Sequence, residues 1–159
     1  HSLEAAQMAH DLALGTPVNP QEAFLAGLVH DIGQLAMAML PAACGERFAR
    51  LVEVGCETLP IERTLCGMSH AQVGARALTI WEFPARFIQA VEFHHQPERS
   101  DSTMAALLYL VECRTSTGEE APSLARRGAA LKLLGQTEEW FDDFTIHSNP
   151  GLEALRFAS

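Results

Sequence analysis

Seven histidines, at positions 1, 10, 30, 70, 94, 95 and 147, are the side chains with the most chemistry to offer near neutral pH. Five of them fall at helix ends or first turns, beside apolar faces. In His30-Asp31, neighbouring helical residues point about 100° apart, so they cannot share a stripe. At a helix end they can still converge on one ion from two directions. Imidazole and carboxylate together suit Zn, Fe, Mn, Co or Ni. His94-His95 repeats the arrangement at another helix end, although by itself it reads equally as a satisfied core histidine beside a surface one. His70 opens a helix in Ser69-His70-Ala71-Gln72-Val73-Gly74, where Gly74 allows close helix approach. Alone, it is an ordinary helix N-terminal residue. His10-Asp11 is the same dipeptide in mid-helix and reads as a chance occurrence. His147 lies in a polar tail and reads as surface.

The elements that must position these groups are helical. Ala and Leu recur at helical spacing, and Val, Ile and Thr rarely alternate with polar residues. Residues 1–14 read as a first helix, stopped by Gly15-Thr16-Pro17. Asn19-Pro20 opens a second, with Asn as cap, Pro at the first helical position and Glu22 in the first turn. It is expected to run through His30-Asp31, with Gly33 breaking or bending it before a short helix to Leu40. Further helices are expected at 43–55 and 60–66, ended by Gly55 and Gly67. Another covers 70–81, capped by Ser69, with Val73, Ala77 and Leu78 inward. The next carries Phe87, Ile88 and Val91 and ends in His94-His95 before Pro97. One more starts at Asp101 or Ser102 and runs through Leu107 to Val111. Residues 115–122 read as a polar loop, and the rest, to Ser159, as two or three shorter helices. The class is all-α, with about seven to ten helices in a bundle.

Bulk properties exclude several functions. With 159 residues and 48% hydrophobic side chains, the chain suits one folded domain. A net charge of −9, with scattered basic residues, excludes strong nucleic-acid binding. No run approaches the roughly 20 apolar residues that cross a bilayer, and no basic amphipathic helix suggests a membrane surface. The cysteines, 44, 56, 66 and 113, form no CxxC pair and read as reduced thiols packed as small apolar groups. A cytoplasmic location follows as an expectation. The start at His1, already in a helical pattern and without Met, suggests a fragment of a longer protein.

The ordered set is more telling than its parts. His1, then His30-Asp31, then His70, then His94-His95, then an acidic residue is similar to the extended HD superfamily pattern. Ala23 to Gly33 (AFLAGLVHDIG) resembles its signature helix. Ser69-His70-Ala71-Gln72-Val73-Gly74-Ala75, Trp81-Glu82-Phe83-Pro84 and Ala90 to Pro97 (AVEFHHQP) resemble HDOD domains in particular. So does the absence of a Lys after the signature glycine. The likeness spans roughly residues 1–115 of a single domain covering 1–159, leaving 116–159 as C-terminal helices.

The resemblance implies a metal site. His1 matches the first family histidine, and His30 and Asp31 the HD pair. His70, His94 and His95 match the additional ligands of the dinuclear subgroup, and Glu112 stands at the final family aspartate. One or two divalent ions are implied, among Fe, Mn, Zn, Ni, Co and Mg. Three departures weigh against catalysis. Glu112 is one methylene longer than Asp. Gln34 stands where the family's cyclic-dinucleotide phosphodiesterases carry Lys. Gln96-Pro97-Glu98 lacks their Gly-Tyr-Pro element, which argues against a cyclic-di-GMP phosphodiesterase. The first expectation is therefore a bacterial signal-transduction output or regulatory module, linked to an upstream receiver or other signalling domain. The alternative is a metal-dependent phosphohydrolase with Asp31 bridging two ions as its catalytic carboxylate and Arg76 or Arg99 available to a substrate phosphate. In both, Asp31 must be neutralised by a cation or hydrogen-bonded by imidazoles rather than turned to solvent.

Overall fold

The computed structural model describes residues 1–39, 42–115 and 123–144, with residues 42 and 43 described by backbone alone. In chain order the helices are α1 (Ser2–Ala13), α2 (Pro20–Val29), α3 (Ile32–Met37), α4 (Ala42–Glu53), α5 (Thr58–Cys66), α6 (His70–Ile80) and α7 (Ala85–Phe93). A 3-10 turn (Pro97–Arg99) precedes α8 (Thr103–Thr115), α9 (Leu124–Leu134) and α10 (Glu138–Asp142). The described residues contain no strand, and the all-α expectation holds.

Helix α8 lies at the centre. Met104 through Val111 are buried without a break, so this helix is apolar all round rather than along one stripe. It packs against α1, α2, α7 and α9. Leu12 of α1, Val91 of α7 and Leu131 and Leu134 of α9 close the core with it. Helices α1 and α2 pair closely, and α6 is held between α3 and α7. Helices α4 and α5 pack on each other at the edge.

Capping signals in the sequence produce the starts they suggest. The Asn19 side chain accepts hydrogen bonds from the backbone N–H groups of Gln21 and Glu22, with Pro20 next in line. Ser69 and Gln72 form a reciprocal capping box on α6. Ser102 accepts from the Ala105 N–H at the start of α8.

Two local expectations need correction. Helix α2 ends at Val29, so the break falls at His30 and Asp31 rather than at Gly33. Gly33 lies inside α3, where a Cβ would collide with the His70 carbonyl oxygen and come within 2.7 Å of the Gly74 nitrogen. Its role is backbone-to-backbone contact between α3 and α6. That contact also turns α6, whose buried face is His70, Ala71, Gly74, Ala75 and Leu78, with Val73 and Ala77 only half-buried. Among the cysteines, Cys56 is exposed while the other three are half-buried, and all four are free thiols. The expected helix end at Leu40, the polar loop over 116–122 and His147 with the chain after Phe144 lie outside the described residues. No helix among the described residues is long and apolar enough to cross a membrane.

Candidate metal centre

Helix ends deliver the centre. His1 caps α1. His30 and Asp31 occupy the gap between α2 and α3, His70 is the first residue of α6, and His94 and His95 follow the last turn of α7. Glu112 comes from within α8. Backbone is irregular or terminal at six of these seven positions, which lets neighbouring side chains turn toward a shared point.

Asp31 stands in the middle. Its Oδ2 faces His30 Nε2 at 3.4 Å and His1 Nε2 at 3.6 Å. Its Oδ1 faces His70 Nε2 at 3.4 Å and His94 Nε2 at 3.7 Å. Glu112 Oε1 lies 3.0 Å from His30 Nε2 and 3.6 Å from His1 Nε2. His70 Nε2 and His95 Nε2 are 2.9 Å apart. Two groups with ligand atoms within 4.8 Å of one another result: His1, His30 and Asp31, and His70, His94 and His95. No cysteine belongs to either, against a thiolate zinc site.

The second ring nitrogens set the tautomers. His30 Nδ1–H donates to the Gly27 carbonyl at 2.7 Å, and His94 Nδ1–H donates to the Val91 carbonyl at 2.7 Å. A carbonyl can only accept, so each Nδ1 carries the proton and each Nε2 turns toward the centre. His94 Nε2 is fully buried with no hydrogen-bond partner among the described residues. A buried lone pair with nothing to accept from is costly, and a cation is the partner its environment suits.

Spacing fits the same partner. The approaches of Asp31 to imidazole nitrogens exceed ordinary N–H···O lengths of about 2.7–3.2 Å. Two donors each about 2.1 Å from a tetrahedral ion would stand about 3.4 Å apart. Asp31 keeps only 13% of its side-chain surface exposed and accepts a direct hydrogen bond from Gln34 Nε2 at 2.8 Å. Gln34 thus contacts the central carboxylate.

Electrostatics follow from burial. Burial pulls the His30 pKa down, but the hydrogen bond to Glu112 and the charges of Asp31 and Glu112 outweigh it, so the value is raised. Burial raises the Asp31 pKa, partly offset by His30 and His70. His94 is held well below the ordinary histidine value by burial and then by His95, His30 and His70. His95 falls to about 4, again through burial first and His70 second. Neutral imidazoles of this kind are the form that ligates metals.

One residue at the centre carries no distinguishing signal in the sequence. Glu62 of α5 is buried and holds His70 through both its backbone and its ring. A cavity of about 480 Å³ between α3, α4 and α5 adjoins the centre, with Gln34 and Glu62 in its wall beside Met37, Phe48 and Cys66. Arg76 borders a different cavity, with Glu92 and Gln72, and Arg99 donates to Gln96. His10 and Asp11 pair with each other within α1.

The HDOD domain model matches residues 1–97, about three-fifths of the chain. The chain belongs to the HDOD family. Among solved structures, a Marinobacter aquaeolei VT8 protein assigned provisionally to signal transduction is 25% identical. Its match covers 89% of this chain and 34% of its own, with a TM-score of 0.75. The MmoQ response regulator of Methylococcus capsulatus str. Bath is 27% identical over 87% of this chain and 56% of its own, with a TM-score of 0.60. A Shewanella amazonensis SB2B protein assigned provisionally as a phosphohydrolase is 22% identical over 85% and 52% of the two chains. Its TM-score of 0.70 speaks for the fold alone. This HDOD chain therefore spans about a third to just over half the length of these structures. Among curated proteins no relative matches. The family match ends at Pro97, so Glu112 reaches the centre from a helix beyond the matched segment.

Proposed function

We propose that this HDOD chain is a bacterial signalling output or regulatory module that retains a divalent metal centre. The observation that carries the metal reading is Asp31, whose two oxygens face two sets of imidazoles at distances suited to intervening cations. The unpartnered His94 Nε2 supports it. His1, His30, Asp31 and Glu112 would hold one ion, and His70, His94 and His95 a second, with Asp31 shared. The signalling reading rests on the family and on the descriptions of the Marinobacter and Methylococcus proteins. Gln34 in place of a lysine, and a cavity wall without Lys or Arg among the described residues, leave phosphate poorly served beside the centre. In this reading the module acts in the cytoplasm, joined to a receiver or other signalling domain and answering to other signalling proteins.

A second reading, a metal-dependent phosphohydrolase, is favoured by one feature, the carboxylate poised between two ligand sets. Bound divalent ions would supply Lewis-acid stabilisation of phosphoryl oxygens and activation of water. Asp31 would hold both ions in register, and Gln34 would orient Asp31.

Metal analysis of wild type, Asp31→Ala and Asp11→Ala tests both, alongside hydrolysis of bis(p-nitrophenyl) phosphate with Mn²⁺. The expected result is stoichiometric metal in wild type and Asp11→Ala, its loss in Asp31→Ala, and no turnover. Turnover abolished by Asp31→Ala would install the enzyme reading. Wild type that takes up no ion would remove the metal centre.

A further inference from the structure

The geometry points to Glu62 as a positioning residue for His70, one that tunes the His70–His94–His95 group without touching an ion itself. The inference rests on the metal reading above. Glu62 and Ile61 are the buried residues of α5, and the Glu62 side chain keeps only 5% of its surface exposed. Its Oε2 accepts the His70 backbone N–H at 2.8 Å. Its Oε1 and Oε2 accept from His70 Nδ1–H at 2.8 and 2.9 Å. An ionised carboxylate only accepts, so the proton sits on Nδ1 and His70 Nε2 is left to face Asp31 and His95.

Position explains why a second helix must supply this group. The His30 and His94 rings each reach a carbonyl one turn back along the chain. His70 opens α6, and Gly67, three residues earlier, caps the helix before it in a left-handed turn. No helical carbonyl lies one turn back, and the His70 N–H is itself one of the unpaired donors of a helix start. Glu62 meets both needs with one side chain.

The replacement changes the chemistry as well as the geometry. His30 and His94 donate to neutral carbonyls, whereas His70 donates to a carboxylate. A charged acceptor makes the opposite nitrogen a stronger ligand, and losing such a partner lowers metal affinity by about 10–100-fold. The effect should fall on the group containing His70 and spare the one built from His1, His30 and Asp31.

The test is a Co²⁺ titration of the full chain, followed by visible absorption and calorimetry, for wild type, Glu62→Gln and Glu57→Gln. Glu57 precedes the same helix and is exposed. Glu62→Gln is expected to weaken one of two binding events by about 10–100-fold and leave the other unchanged, with Glu57→Gln like wild type. Equal weakening of both events, or of neither, would overturn the role. Wild type without Co²⁺ uptake would fail the metal reading first and this one with it. Should Glu62→Gln not fold, imidazole ¹⁵N spectra of the wild type decide: His70 protonated at Nδ1 supports the assignment, and at Nε2 refutes it.

Discussion

His10-Asp11 and His30-Asp31 are the same two residues in two settings. The first lies within α1, where Asp11 accepts from Gln7 one turn back at 2.8 Å and meets His10 beside it at 3.0 Å. The second fills the gap between two helices, and His30 meets Glu112, 82 residues further on. Inside a helix, adjacent side chains diverge by about 100° and are committed to neighbours on their own turn. Where the helix stops, Asp31 leaves helical dihedrals and both side chains can address distant elements. The dipeptide gains its meaning from where the helix ends.

The largest way to disturb this contrast is Gly33→Ala. The added methyl would meet the His70 carbonyl oxygen, so α3 and α6 must separate and carry Asp31 away from His70. We expect a loss of about 3 kcal/mol or more in urea unfolding, together with lost metal uptake. Unchanged metal binding would show that the α3–α6 contact does not set the centre.

Acid should next disturb the imidazoles that share the second setting. In chelated protein, His94 and His95 stay neutral at pH values where the unfolded chain, with an ordinary value near 6.5, takes up protons. Stability is therefore retained above about pH 6.5 and lost as pH falls toward about 4. The raised values of His30 and Asp31 act in the opposite direction and offset part of the loss. Urea midpoints at pH 7.5 and 5.0 should differ, and less so in His95→Gln. A midpoint that is flat with pH in wild type would contradict the assigned burial.

Asp11→Asn should have the smallest effect, about 1–2 kcal/mol, because it weakens a charge-assisted hydrogen bond inside one helix. Metal content should not change. If it fell with the fold intact, the first dipeptide would be more than local.

Much of this arrangement was legible in the amino-acid order because caps and histidines are local signals. Asn19-Pro20, Ser69 with Gln72, and Ser102 each start a helix through bonds to their own next turn. Glu62 was not legible. It looks like any helical acid, and its link to His70 crosses the Gly67 turn with no helical spacing to announce it. The inward face of α6 was also misread. Val73 is the natural core residue by hydropathy, but the approach of α3 favours the small Gly74 there. Glu112 was placed by family likeness, since an acid on an otherwise buried helix does not reveal what it faces.

The hydrogen bonds from the His30 and His94 rings to main-chain carbonyls have a further consequence. Every residue type offers that carbonyl, so the aim of the two rings is set by main chain rather than by a partner side chain, although position 27 itself must stay Gly because a Cβ there would come within 2.8 Å of the Ala5 carbonyl oxygen. Drift in the surrounding residues can then proceed without redirecting these imidazoles, and relatives can share the architecture at about one identical residue in four.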